Sequence, residues 1–421
     1  MKTAAITSLL VSGACAFPWV VDTAGVDSSL LNARRLRSRQ QAGTGPGSAA
    51  ECPFNANHVP AAPVTAQYPY NNAKNGVKGN GKGGYQVPAP GDTAHQFQAP
   101  GPNDIRGPCP GLNAAANHGF LARDGIVTYA ELVDAQQNVY NVDYDLANLL
   151  AALGLTLTDG DIVTEKLSIG CDATTRTSFN PTLTGSEPGL DGHNKFEADT
   201  SLTRNDFFTS GGDNFNFNGT LFGMMNDACD GDFNLQNLAK YRKQRYEQSV
   251  AENPNFYFGP LSLLLFGAAS FLYELMPSGT RGYAPDLETI SSFFGAEKQA
   301  DGTWGFVYEK IPDNWTNRVD TYSNNDVTQQ ILEMYLLDPV LFGGNTASGT
   351  FDVINFGSIQ NGELSADLSA TDTSCLLYQL ATGSVPSSLN GVITPSVDAL
   401  AFILSKVSPG FANLGCPQPL T

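Results

Sequence analysis

Little in this chain of 421 residues favours a membrane or a nucleic acid. Past the N-terminus no apolar run is long: Leu261 to Tyr273 is the longest, too short for the ~20 residues a membrane-crossing helix needs, and it reads as a buried helix. Basic residues are scarce, 23 Lys and Arg against 41 Asp and Glu. The formal charge of −18, spread without long acidic runs, repels nucleic acid and anionic lipid, so neither is expected as a partner. Strand-type alternation is rare and no internal repeat is present. No glycine fingerprint for a dinucleotide lies between a predicted strand and helix, and the Walker pattern is absent, so the glycine- and lysine-rich stretch Lys74 to Gly84 reads as a flexible loop.

What is present is enough apolar residue, 41%, to bury a large core and enclose a cofactor. Residues 1–16 carry Lys2, an apolar run from Ala4 to Val11 and the small-residue site Ala14-Cys15-Ala16, the pattern of a secretory signal peptide. Residues 17–51, small and polar with a basic cluster at Arg34, Arg35, Arg37 and Arg39, read as a processed pro-segment. Two N-glycosylation sequons begin at Asn218 and Asn314, in keeping with an extracellular protein. Residues 52–102, rich in Pro, Gly and Asn, are expected to form a loop-rich arm over the main body. Residues 103–421 are expected to form one mainly α domain with long loops.

Helix punctuation supports that reading. Thr128-Tyr-Ala-Glu131 is a capping box opening a helix that is expected to run to Gly154. Asn234 to Glu252 predicts a second long helix, stopped by Asn253-Pro254. A third opens at Asp326 and halts at Pro339, and Thr394-Pro395 supplies the start of a fourth, running through Val407.

The most informative residue is Cys109, between Pro108 and Pro110 and just before a helix expected over Leu112 to Gly119. A thiol at that place faces unpaired backbone amides, which favour a thiolate and so a soft metal ligand; the plainer alternative is a buried structural thiol or half of a disulfide. The stretch Asp104-Ile-Arg-Gly-Pro-Cys-Pro-Gly-Leu-Asn113, with Ala116 to Gly125 after it, closely resembles the signature of the fungal haem-thiolate peroxidases, the family of chloroperoxidase and the unspecific peroxygenases. That resemblance implies a single mainly α haem-peroxidase domain, with Cys109 as the axial ligand of one haem b. It also implies hydrogen peroxide and a small organic substrate as partners. Thiolate ligation favours cleavage of a bound oxygen–oxygen bond.

A second run, Leu190 to Asp206, resembles the family's Glu-Gly-Asp-x-Ser-x-Thr-Arg segment. Carried over, Glu197, the carbonyl of Ala198 and Ser201 would hold magnesium beside a haem propionate, with Ala198 in place of the usual glycine, and Phe196 would line the haem pocket. All three are oxygen donors, as magnesium requires. Taken alone, Glu197 to Arg204 reads more simply as the acidic start of a helix, with Asp199 or Thr200 as its cap. The family's long members carry an arginine and, seven residues on, a glutamate that shuttles the peroxide proton. Ungapped alignment from Asn253-Pro-Asn-Phe256 puts Ser262 and Ala269 there, so both groups are missing. Glu274 is the nearest substitute acid by sequence, although it lies about 140° around a regular helix from residue 269. His193 reads as structural or propionate-facing.

If Cys109 holds iron and Cys15 leaves with the signal, five cysteines remain. By the resemblance Cys375 and Cys416 form a C-terminal disulfide, and the pairing among Cys52, Cys171 and Cys229 stays open, Cys171 with Cys229 being one choice. An apolar pocket is expected around Leu261, Leu263, Leu264, Leu265 and Phe266, favouring a large hydrophobic or aromatic substrate over halide. The expected product is a secreted monomer or weak dimer that acts as a peroxygenase. A dedicated biosynthetic peroxidase of a fungal polyketide pathway and a haem-binding protein with impaired peroxide chemistry are the alternatives.

Overall fold

The computed structural model describes residues 52–53, 55, 57–157, 160–171, 177, 189–193, 197–347, 350–355, 358–365, 367–369 and 371–376, together with 402, 404–407 and 409. Residues 1–51, Phe196 and Cys416 lie outside the described residues, as does most of the helix expected from Thr394, of which 402, 404–407 and 409 are helical.

Helices carry the body. In chain order they and the first strands are α1 (Pro110–Asn117), β1 (Ile126–Thr128), α2 (Tyr129–Tyr140), α3 (Tyr144–Leu157), β2 (Lys166–Ser168), α4 (Gly219–Cys229) and α5 (Leu235–Glu252). There follow β3 (Tyr257–Phe258), α6 (Leu264–Glu274) after a 3-10 turn at Pro260–Leu263, α7 (Leu287–Phe294), the hairpin β4 (Ala296–Lys298) and β5 (Trp304–Phe306), and α8 (Asn324–Leu337). Short strands β6 (Gly343–Ala347) and β7 (Thr350–Val353) extend β3 into a three-stranded antiparallel sheet. One large apolar cluster runs through α1 to α8.

The capping box forms as read: the Thr128 hydroxyl accepts from the Glu131 amide while Glu131 reaches back to the Thr128 amide. The single helix expected from there is two. Asn141, at φ 53°, turns left-handed between α2 and α3, a conformation asparagine tolerates better than most residues. Its amide donates to the carbonyls of Arg318 (3.2 Å) and Val319 (2.9 Å) and its Oδ1 accepts from Asn71 at 2.6 Å, so distant chain fixes the break. Gly154 does not stop α3, which continues to Leu157. At the start of α8, Ser323 is the cap and Asp326 is its reciprocal partner three residues on.

The arm binds α2 through side chains of the helix: the amides of Ala73, Gly76 and Gly79 donate to Asn138, Asp134 and Gln137. A disulfide joins Cys52 to Cys171, past β2, which leaves Cys229 as a free, buried thiol and overturns a Cys171–Cys229 pair. Cys375 is disulfide-bonded, and its pairing with Cys416 falls outside the described residues.

His118, which caps the end of α1, sets an acid limit on the fold. Its Nε2 accepts from the Ile311 amide (3.2 Å), which forces Nδ1 to carry the proton it donates to the His95 carbonyl (2.9 Å). Burial, with Arg123 and Lys310 nearby, pushes its pKa down to about 4. Below the ordinary histidine value of about 6.5 the unfolded chain takes a proton that the folded one refuses. Stability should therefore fall between about pH 6.5 and 4, by up to roughly 1.4 kcal/mol per pH unit from this group. Denaturant melts across that window should show the slope, and H118N should flatten it; an unchanged slope would refute the assignment.

Candidate active site

Cys109 caps α1, with Pro110 in the first turn where a missing N–H costs nothing. Asn113, one turn on, holds the loop before it: its Oδ1 accepts from the Gly107 amide (3.0 Å) and its Nδ2 donates to the Gly107 carbonyl (2.8 Å). The same Nδ2 donates to Glu309 Oε1 at 2.9 Å, and Arg204 lies 3.5 Å from that oxygen. Burial pushes the Cys109 thiol up, while the amides of Leu112 and Gly111 and the Arg204 guanidinium pull it down.

The thiol is free and lines an apolar cavity. A second wall is α6, which presents Leu264, Leu265, Ala268, Phe271 and Leu272 as one helical stripe. Leu132, Gln136 and Tyr140 of α2 and Leu150, Ala151 and Gly154 of α3 make a third. The Tyr140 hydroxyl donates to the Gly111 carbonyl at 2.7 Å, locking α2 to the cysteine turn. Glu197, Ser201, Thr203 and Arg242 give the cavity one polar corner.

In that corner Glu197 is buried, its Oε2 accepting from Asn214 Nδ2 (2.6 Å) and lying 3.4 Å from His193 Nδ1, while Oε1 has no partner. Burial pushes its carboxyl up, and His193 and Asn214 oppose the shift. Ala198 is buried beside it. Thr200 is held at φ 69°, a strained conformation for a β-branched residue, by Arg242, which donates to its carbonyl and Oγ1, and by Asp206, which accepts from its amide. His193 stacks on Phe207 at 4.7 Å and lies outside the cavity lining.

Several expected placements change. Of the apolar residues expected around the pocket, Leu264 and Leu265 line it, and Leu261, Leu263 and Phe266 do not. The cavity-facing alanine of α6 is Ala268, whereas Ala269 is fully buried in the core, and Ser262 lies outside the lining. The stripe of α6 that faces the cavity brings neither acid nor guanidinium. Glu274 points elsewhere: its Oε2 pairs with Arg318 at 2.8 Å and its Oε1 accepts from Gln330 at 2.7 Å, so it does not substitute for the missing acid. Asn218 caps α4, and Asn314 is exposed in a left-handed turn. Arg242, Gln136 and Glu309 were not anticipated. Arg242 had a signal, since it follows the buried Leu238 by one helical turn.

A chain with this site matches the profile described as "Peroxidase, family 2" over residues 95–320. It is 36% identical to an aromatic peroxygenase of Coprinellus radians over 51% of this chain and 83% of that protein. It is 30% identical to the dothistromin biosynthesis peroxidase dotB of Dothistroma septosporum over 77% and 81%, and 32% identical to an aromatic peroxygenase of Cyclocybe aegerita over 68% and 71%. A free thiol at a helix cap, opening on an apolar cavity, thus stands in a chain that belongs to peroxidase family 2, the haem-thiolate enzymes that act on peroxide.

Proposed function

We propose that this enzyme uses hydrogen peroxide to oxidise or oxygenate small hydrophobic or aromatic molecules, on haem b bound through the sulfur of Cys109. The carrying observation is that thiol: half-buried, unpaired, and in the wall of a mostly apolar cavity. The residues fit the group, since the cavity pairs a soft ligand with apolar walls and a polar corner. When bound, haem with a thiolate ligand supplies peroxide activation and oxygen–oxygen cleavage.

The chain's own contributions are separable. The amides of Gly111 and Leu112 favour the anionic sulfur against burial, and Asn113 fixes the loop that carries it. Leu264, Leu265, Phe271 and Leu272 exclude water and offer an aromatic ring an apolar face. At the polar corner Glu197, the Ala198 carbonyl and Ser201 form an all-oxygen set suited to magnesium, and the unpartnered Glu197 Oε1 is the atom such an ion would satisfy. No group of three His, Cys, Asp or Glu among the described residues could hold a metal, so oxygens from the cofactor would complete that site.

The leader-like residues 1–16, the sequons at Asn218 and Asn314, and the Cys52–Cys171 disulfide support a secreted glycoprotein. A Cys375–Cys416 bridge agrees with the bonded state of Cys375. A second reading, a dedicated biosynthetic peroxidase, is favoured by the dothistromin relative matching most of both chains; steady turnover of naphthalene would speak against it. The ligand is tested by the absorption of the reduced protein under carbon monoxide. A band at about 450 nm is expected from a thiolate donor, and a band at about 420 nm would refute sulfur ligation.

A further inference from the structure

Among the described residues, Arg242 is a buried cation without a paired anion. It stands on the inward side of α5 at 2% exposure, with both terminal nitrogens committed to Thr200: one donates to the carbonyl and the other to Oγ1 at 2.9 Å. The Phe266 ring lies 5.2 Å from its guanidinium carbon. Its Nε–H has no partner, and among the described residues no carboxylate pairs with it; Asp206 is taken by Arg245 at 3.1 Å. It is also the one cationic side chain in the cavity wall among the described residues. Leaving a guanidinium dry and unpaired is costly, so the arrangement calls for an anion delivered into the cavity.

The chemistry of that anion follows if haem b occupies the cavity as proposed above, on which this step rests. Two propionate carboxylates enter with the macrocycle. A cation on Glu197 and Ser201 would neutralise one of them, and the other needs a charge of its own. Arg242 is anchored on Thr200, the residue adjoining Ser201, and so stands at the same corner. We infer that Arg242 binds a haem propionate, presenting its free Nε–H and its charge to the carboxylate while its terminal nitrogens hold the strained Thr200 turn. This assigns a cofactor-binding role to a residue of α5, outside both motifs that mark the site in the sequence.

Arg242 also supports Thr200, so the experiment must separate carboxylate binding from support. The full-length protein, as wild type, R242M and R242K, is loaded with haem b or with haem b dimethyl ester, whose carboxylates are capped. Transfer of each to excess apomyoglobin is then timed. Wild type should release the ester roughly ten- to hundred-fold faster than haem b, as expected for loss of charge-assisted bonds. R242M should shrink that ratio by about tenfold, and R242K should restore part of it. Equal acceleration of both compounds in R242M would reduce Arg242 to a support for the turn and overturn the inference, as would no acceleration of either. The carbon monoxide band reports the sulfur ligand independently. If it is intact and the release ratio is unmoved, this inference alone fails; if wild type lacks it, the haem-thiolate placement fails, and this step with it.

Discussion

C109A is expected to be produced folded and colourless, with peroxide-dependent turnover at least about a thousandfold below wild type. The sulfur faces a cavity, and the cap of α1 is otherwise held by Pro110 and by Asn113 on Gly107, so its removal leaves the helix start intact. Burial disfavours the thiolate, so the empty fold holds a neutral thiol whose deletion removes only one small, weakly polar atom. Circular dichroism should therefore match wild type, with a melting temperature within a few degrees, while the Soret absorbance per mole of protein falls to background. A variant that keeps its pigment and spectrum would show that another residue holds the iron.

The second large effect is a gain. α6 faces the cavity with Ala268 and offers no acid, so a carboxylate placed there by A268E can take and return the peroxide proton. General acid-base assistance is worth about a hundred- to ten-thousand-fold, and the peroxide-consuming step should accelerate within that range. Burial in an apolar wall will raise the new carboxyl's pKa, so the gain should increase as pH climbs through that value and the basic form appears. A269E makes the contrast. Its site is fully buried in the core, and a glutamate there should cost several kcal/mol of stability with no kinetic benefit. Initial rates and thermal melts on both variants decide the matter, and equal behaviour would refute the assignment of Ala268 as the alanine that faces the cavity.

The parts of the site legible in the sequence are those specified by neighbours in the chain. Two prolines and a glycine around Cys109 define a helix cap wherever they occur, and Thr128 with Glu131 defines another. What stayed hidden depends on distant partners. Asn141 breaks the long helix because carbonyls near residue 318 receive its amide. Glu274 is turned from the cavity by an arginine 44 positions away, and Asn113 finds Glu309 across 196. Which alanine of α6 faces the cavity was hidden too, because a 3-10 turn at Pro260–Leu263, with fewer residues per turn, precedes the helix and sets its rotation. Parity predicted an unpaired cysteine, but only the position of Cys52 against Cys171 identified it as Cys229.

Gly154 brings these threads to the substrate. It lies inside α3, where glycine weakens a helix by about 1 kcal/mol relative to alanine, and a methyl group built on it would meet nothing within 4 Å. The chain thus gives up helix strength and leaves, among the described residues, a recess in the chamber that Cys109 lines. Side chains of graded bulk at this codon would narrow the chamber stepwise while the sulfur, the polar corner and the backbone stay where they are, a single dial by which descendants of this enzyme can exchange one guest molecule for another.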